Sequence, residues 1–271
     1  MGLSVLFNIA SLQSQNQLQS TNQSLQSTLT QLTTGSRINT GADDPAGLQI
    51  ANSLNASIAA LNQSVNNASN GIGIGQVADG ALSQVSTLLN TAVTLATEAA
   101  NGGLSTTQLS ALGTEYNNIL AEIDNIGSNT NFNGKAVFTS TATNVFLTDL
   151  TTNYNIGIST TVLSASGLGL TTTDFTTSGN PQTALSEINN AITAIGALRG
   201  QIGAAIVQLQ DGQNVATVEA QNTTAALSTI TSANLPQVIS NLSKFTVLEQ
   251  TGIYSLTQAN SVPQSLLKLL Q

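Results

Sequence analysis

Apolar residues fall into helical register over most of this chain. Leu54, Ile58, Leu61, Val65, Ala68 and Ile72 are spaced four-three-four-three-four, a heptad seam rather than a general amphipathic stripe. The pattern resumes with Val77, Ala81, Val85, Leu88, Ala92, Leu95 and Ala99, then stops at Asn101-Gly102-Gly103, where glycine ends a helix readily. Pro45 suits a first helical turn. A helix running from Pro45 to Ala100 would be ~80 Å long at ~1.5 Å per residue, a length that predicts a coiled-coil rod. Ser105 and Gln108 make a capping-box pattern for a second helix, with a seam of Leu109, Leu112, Tyr116, Ile119, Ile123 and Ile126. The short Asn-Gly-Gly turn predicts that these two helices run antiparallel.

The stretch 131–179 changes character. It is rich in Thr, Gly and Asn, with β-type pieces at Ala136 to Phe138, Asn144 to Leu147, Tyr154 to Ile158 and Thr161 to Leu163, which predict a small β-hairpin region. Helical spacing returns after Asn180-Pro181, a cap followed by a first-turn proline, with Leu185, Ile188, Ile192, Ile195, Ile202, Ile206 and Leu209. It persists through Val218 and Leu227 and breaks at Ser232-Ala233-Asn234-Leu235-Pro236. The last segment carries Val238, Ile239, Leu242, Phe245, Leu248, Ile253 and Leu256, and ends in Leu266-Leu267-Lys268-Leu269-Leu270. Its counterpart at the start carries Leu3, Leu6, Ile9 and Leu12, then Leu18, Leu25, Leu29 and Leu32. The expected division is a helix over 1–34, a linker at 35–44, rod helices over 45–130, the β region at 131–179, a rod helix over 180–230, a linker at 231–235 and a last helix over 236–271. The expected fold is mainly α: a long antiparallel coiled-coil rod of N- and C-terminal arms, with the small β-hairpin region at its tip.

Chain ends are normally the least apolar parts of a domain, yet here both carry leucine stripes beyond a linker. Two isolated helices with exposed stripes are marginal in water. Burial against copies of the same chain is the simplest remedy. Leu3, Leu6, Ile9 and Leu12, with Val262, Leu266, Leu267, Leu269 and Leu270, are therefore the expected polymerisation surface.

Composition narrows the chemistry. The 271 residues hold no histidine, cysteine or tryptophan, which excludes Ser-His-Asp and Cys-His nucleophile pairs, imidazole or thiolate metal sites and disulfides. Neither a cofactor nor an enzymatic activity is expected. Aromatics are only 3%, so the core must come from Leu, Ile, Val and Ala. Ser, Thr, Asn and Gln make up about two-fifths of the chain, far above an ordinary globular share, and such a surface can pack face to face without stranding charge. A net charge of −8 with five basic residues argues against nucleic-acid binding and a polybasic membrane anchor. No continuous apolar run approaches ~20 residues, and no positively charged leader precedes Arg37, so neither membrane insertion nor a cleaved secretory signal is expected.

Candidate motifs have bland readings. Gly71-Ile72-Gly73-Ile74-Gly75 suggests a phosphate loop but lies between heptad helix on both sides, so close helix packing or a shift of heptad phase explains it better. Asp43-Asp44 reads as a cap on the helix that starts at Pro45, with Arg37 as an ion partner. Asn-x-Ser/Thr triplets at Asn62 and Asn222 fall in expected helices. The run Thr171 to Ser178 could carry O-linked sugar if exposed.

Four segments together resemble one family. Arg37-Ile38-Asn39-Thr40-Gly41-Ala42-Asp43-Asp44-Pro45-Ala46-Gly47-Leu48-Gln49-Ile50-Ala51 is similar to the most characteristic N-terminal motif of bacterial flagellins. Asn70-Gly71-Ile72 through Ala78-Asp79-Gly80-Ala81-Leu82 resembles the next block, and Asn131-Phe132-Asn133-Gly134 the one after. Gln258-Ala259-Asn260-Ser261-Val262-Pro263-Gln264-Ser265-Leu266-Leu267-Lys268-Leu269-Leu270 is close to the closing signature. The resemblance implies an extracellular filament subunit for swimming, exported unfolded through the flagellar type III channel. Its implied partners are other copies, an export chaperone, the filament cap and the hook–filament junction proteins. A junction protein of the same family is the alternative reading. By this likeness the terminal helices form an inner tube and the central helices the wall around it. Only about 50 residues separate the two matching arms, so large outer domains are missing. Where members recognised by the vertebrate innate receptor carry arginine, this chain has Thr91, which counts against receptor activation, whereas Leu95 and Glu115 fit the pattern. Sparse charge implies filaments that tolerate acid and changes of salt.

Overall fold

The computed structural model of the chain describes residues 8–148, 153–158, 160–177 and 180–269. Its elements are α1 (Ile9–Thr34), α2 (Pro45–Ala99), α3 (Thr106–Asn129), β1 (Asn131–Phe132), β2 (Lys135–Ala136), β3 (Thr143–Thr148), β4 (Asn153–Ile158), α4 (Asn180–Thr231) and α5 (Leu235–Leu269). The fold is mainly α, with helical arms and a small hairpin region, as the periodicity predicts. Two compact units are present: the central residues 56–222, and the two ends, 1–55 with 223–271.

Within the central unit α2 and α4 are antiparallel. Arg199 pairs with Asp79 at 2.7 Å, Gln213 Nε2 donates to Ser69 Oγ at 3.0 Å, and Leu61 clusters with Ala216 and Ala220, so partner numbers rise on α4 as they fall on α2. The seam positions of α2 in this unit, with Leu95 buried beside them, are Leu61, Ser64, Ala68, Gly71, Gly75, Ala78, Leu82, Val85, Leu89, Ala92, Ala96 and Ala99. They alternate three and four apart without a phase break. This corrects part of the sequence reading after Ile72: Val85, Ala92, Leu95 and Ala99 are buried as expected, but Val77 is exposed, Ala81 and Leu88 are half-buried, and there the seam runs one residue later through Ala78, Leu82 and Leu89. The register is carried across the gap by Ser64, Gly71 and Gly75, which a search for apolar residues overlooks.

The glycines explain why. A Cβ at Gly71 would stand 2.6 Å from Val145 Cγ2 and 3.0 Å from Leu209 Cδ1; at Gly75 it would stand 2.7 Å from Ile206 Cγ1; at Gly73 it would press on the Phe132 ring. Close packing is thus the correct reading, and the helix continues through all three. On α4 the expected Ile188, Ile195, Ile202 and Leu209 form the buried stripe, while Leu185, Ile192 and Ile206 pack at its margin. Among the described residues α4 also contains an 18-residue window of mean hydropathy 1.3, of which 22% is buried.

Ser105 caps α3 through a full capping box with Gln108, as predicted. The β region differs in detail. β1 and β2 pair around Asn133-Gly134, whose positive φ values of 49° and 77° are what a two-residue hairpin turn requires. β3 and β4 form a second antiparallel hairpin with Val145 opposite Ile156, and Val145, Leu147, Ile156 and Ile158 are buried in the core. The predicted piece at Ala136 to Phe138 shifts to Lys135–Ala136, and Thr161 to Leu163 is not a strand.

Residues 160–177 instead lie across α3 as a strap. Gly113 and Gly127 let its backbone approach: a Cβ at Gly113 would fall 2.6 Å from Asp174 C, and one at Gly127 would run into the Leu163 carbonyl. Side chains supply the hydrogen bonds a ladder would have given. Asn117 donates to Thr173 O and accepts from Thr173 N, Asp124 accepts from Ala165 N at 2.7 Å, and Glu187 accepts from both Thr171 N and Thr171 Oγ1. Phe175, held at φ 56°, is fully buried with its ring 5.2 Å from that of Tyr116. The Tyr116 hydroxyl has no hydrogen-bond partner among the described residues. Burial, then the charge of Glu187, pushes its pKa up to about 12.

The unit of the two ends is held differently. α1 and α5 are antiparallel: Asn8 caps α1 by accepting from Ser11 N, and its Nδ2 reaches Ala259 O at 2.8 Å, while Gly252 admits Leu18, whose Cδ1 would lie 3.1 Å from an added Cβ. The inward positions of α1 are Ser11, Ser14, Leu18, Thr21, Leu25, Thr28 and Leu32. Only Thr21 and Thr28 among them are fully buried. Their hydroxyls turn back to the Gln17 and Ser24 carbonyls, which leaves the methyl groups at the seam.

Candidate functional site at the helical ends and their linkers

The linker at 35–44 is a folded turn. Gly35 ends α1 in the left-handed region at φ 67°, where an L side chain is disfavoured. Ser36 then bridges Ser232 in antiparallel fashion, framed by Arg37 N donating to Thr231 O at 2.7 Å and Ala233 N donating to Gly35 O at 2.9 Å. The two linkers are thus hydrogen-bonded to each other, 195 residues apart in sequence.

The residues of the N-terminal motif meet here. Arg37 Nη2 donates to Ile230 O at 2.9 Å, at the last turn of α4, where unpaired carbonyls and the negative end of the helix dipole gather. The expected ion pair with Asp43 or Asp44 does not form; the carbonyls of α4, invisible in local sequence, draw the guanidinium instead. Asp43 Oδ2 accepts from Asn39 N, Thr40 N and Thr40 Oγ1. Those bonds, the Asn39 amide first, hold its carboxyl below the ordinary range. Asn39 Nδ2 closes the turn on Ser36 O. Asp44 is the predicted cap, Oδ1 accepting from Gly47 N at 2.9 Å, with Pro45 opening α2. Gly47 is buried because Ile38 lies on it: a Cβ there would stand 2.7 Å from Ile38 Cδ1.

Beyond the linker the ends expose apolar side chains. Of the expected polymerisation residues, Ile9 is 66% and Leu12 58% exposed. Leu3, Leu6 and Leu270 lie outside the described residues; Val262, Leu266, Leu267 and Leu269 sit on the α5 backbone with their side chains outside the description. The structure adds Leu29, Ile239, Val247, Leu248, Ile253 and Tyr254, all exposed, Tyr254 at 77%. Most of these are legible as stripe residues, but nothing in the leucine spacing says that Thr21 and Thr28 share the seam with Leu18, Leu25 and Leu32.

The three receptor-like positions do not form one surface. Thr91 and Glu115 are exposed on α2 and α3, whereas Leu95 is a core residue with 7% exposure. In the threonine run Thr171, Thr172, Thr176 and Thr177 are exposed, and Ser178 lies outside the described residues. Among the described residues no group of three or more acidic side chains could hold a metal ion. Asp44, Asp43, Asp124, Asp174 and Glu187 instead accept hydrogen bonds from nearby backbone N–H groups. The arrangement is mechanical: a braced junction and two helices with uncovered apolar faces.

Most of the chain is similar to known proteins. Residues 5–143 match the model of the bacterial flagellin N-terminal helical region, and residues 185–270 that of the bacterial flagellin C-terminal helical region. The chain is 30% identical to a flagellin of Listeria innocua serovar 6a, over 97% of this chain and 98% of that one. It is 29% identical to a flagellin of Bacillus subtilis strain 168 over the same shares. The crystal structure of Bacillus cereus flagellin aligns at 26% identity with a TM-score of 0.49, covering 60% of this chain and 94% of that one.

Proposed function

The chain belongs to the bacterial flagellin family, and from that membership we propose that the apolar faces left open on α1 and α5 are the surface on which its copies polymerise. The protein is a structural subunit of the extracellular flagellar filament that serves motility. The observation that carries the surface assignment is shallow burial at the ends: the leucines of the α1 seam are only half-buried beside Thr21 and Thr28, while Ile9, Leu12, Ile239, Val247 and Ile253 face outward. Burying one such side chain is worth ~1.5–3 kcal/mol, so a few per subunit, repeated along a lattice, hold helices that one subunit alone holds weakly.

In this reading residues 1–34 and 236–271 form the inner tube, and 45–130 with 180–230 the wall around it. Export in an unfolded state fits a chain without cysteine, since no disulfide can block its threading. Recognition by an export chaperone, the filament cap and junction proteins belongs to the same proposal. Two changes test it: Ile9→Asp with Leu12→Asp, and deletion of residues 261–271. Both should leave the central unit folded by circular dichroism and abolish filaments in negative-stain images of heat-dissociated, re-cooled protein. Normal filaments from either variant would remove the assignment. Failure of the unaltered chain to form long filaments, with low copy number per flagellum, would favour a junction protein.

A further inference from the structure

We propose that Asn101, in the turn between α2 and α3, is a site of self-modification: the backbone nitrogen of Gly102 attacks its side-chain carbonyl carbon, ammonia leaves, and water reopens the ring as aspartate or isoaspartate. The sequence alone does not single it out. Asn-Gly is the pair in which this ring closes most readily, because glycine has no side chain to shield its nitrogen. It occurs three times, at Asn70-Gly71, Asn101-Gly102 and Asn133-Gly134.

The structure separates the three. Ring closure needs the nitrogen of the next residue on the same side of the Cα–C bond as Cβ. Asn70 and Gly71 lie inside α2, where the Gly71 N–H is engaged along the helix, and Gly71 is buried. Asn133 is exposed, but its φ of 49° places it in the left-handed region, where ψ is about +30 to +60°. That rotation carries the Gly134 nitrogen to the far side from Cβ, and the pairing of β1 with β2 on either side of the turn maintains it. Asn101 has neither protection. It lies beyond the end of α2 with a φ that is not positive, and Asn101, Gly102 and Gly103 are all exposed. A Cβ added at Gly102 would meet no atom within 4 Å, and one at Gly103 would lie 3.8 Å from Asn101 Oδ1. The carboxamide is already folded forward over the Gly-Gly backbone that attacks it.

The chemistry needs only water. The Gly102 nitrogen bonds to Asn101 Cγ and gives up its proton to the side-chain amide nitrogen, which departs as ammonia; water then cleaves the cyclic imide at either carbonyl. Opening at Cγ restores the peptide and leaves aspartate, whereas opening at the main-chain carbon leaves isoaspartate, with an extra methylene in the backbone. Either product adds a carboxylate to a chain of net charge −8. It does so at the negative end of the α2 dipole, where an anion is unfavourable, and next to Glu98, whose carbonyl accepts from Asn101 N at 3.1 Å. Each event therefore loosens the turn that reverses the chain into α3.

The dissociated full chain, held at mildly alkaline pH in heavy-oxygen water, provides the test by peptide mass spectrometry and isoaspartate-specific methylation. While the chain stays folded, Asn101 should convert roughly tenfold or more faster than Asn70 and Asn133, which must first open locally, with one labelled oxygen per event. In urea the three rates should converge. Gly102→Ala, which has open space for its methyl, should keep the circular dichroism and slow conversion of Asn101 by roughly tenfold, since the methyl shields the attacking nitrogen. Equal conversion of Asn101 and Asn133 in the folded chain, a lead of Asn101 that persists in urea, or an unaltered rate in Gly102→Ala overturns the inference. The filament reading is untouched by any of these outcomes.

Discussion

The central unit and the unit of the two ends use the same long helices, yet they bury their apolar residues to different depths. In residues 56–222 the heptad positions hold Leu82, Val85, Leu89, Ile188, Ile195, Ile202 and Leu209, closed over by α3 and the second hairpin. In the ends the buried apolar residues among those described are Ile38, Ala51 and Val238, and two threonines occupy the most buried positions of α1. A helix pair whose leucines are half-buried or exposed gains little from its own packing. The difference gives the centre the folding of a subunit and fits the proposal that the ends join subunits.

The largest expected effect sharpens that division. Leu82→Ala or Leu89→Ala should cost ~2–5 kcal/mol in urea unfolding of dissociated protein, because each leaves a void in a closed core. Leu12→Ala or Ile253→Ala should shift the same curve by no more than ~0.5 kcal/mol, yet raise the concentration needed for filaments. Equal destabilisation by Leu12→Ala and Leu82→Ala would break the comparison.

Next in size is overpacking of the α2–α4 seam. Gly75→Leu would drive a side chain into Ile206 and should lower stability by ~1–3 kcal/mol, whereas Gly203→Ala, where an added Cβ meets no atom within 4 Å, should raise it by ~0.5–1 kcal/mol. Thermal melts of the two variants should move in opposite directions.

Smaller still is the ion pair. Arg199 and Asp79 are about two-fifths exposed, and their bond raises the Arg199 pKa. Arg199→Met should change the melting midpoint only slightly, and melting of the unaltered chain should barely respond to salt, since exposed pairs are screened. A large loss, or filaments that dissociate on moderate salt change, would mean that charge contributes more than this core implies.

The most local effect is that of acid on the linker. Asp43 is depressed below its ordinary 3.8 in the folded chain, so its contribution is fully present above that value and lost as pH falls through the lower folded value. Amide exchange at Asn39 and Thr40 should quicken only under strong acid, and Asp43→Asn should remove that dependence. Loosening near neutral pH would rule Asp43 out as the brace.

Much of the fold is legible before folding is considered. Asp44 with Pro45 and Ser105 with Gln108 mark their caps because those interactions span three or four residues. The terminal stripes likewise announce themselves, as does the motif from Arg37 to Gly47. What it braces against is not visible locally, because Ile230 O lies on a helix 193 residues away. The strap over α3 was unreadable for a similar reason: its extended residues look like strand, and only Gly113, Gly127, Asn117 and Asp124 of another element give its backbone partners.

Helix positions, caps, charge balance and the apolar stripes of the ends follow from the sequence itself, because each depends on neighbours within a turn or on composition. Tertiary structure decided which positions face inward. Ser64, Gly71 and Gly75 complete one seam and Thr21 and Thr28 another, since burial there is set by how closely a partner helix approaches rather than by how apolar the residue is.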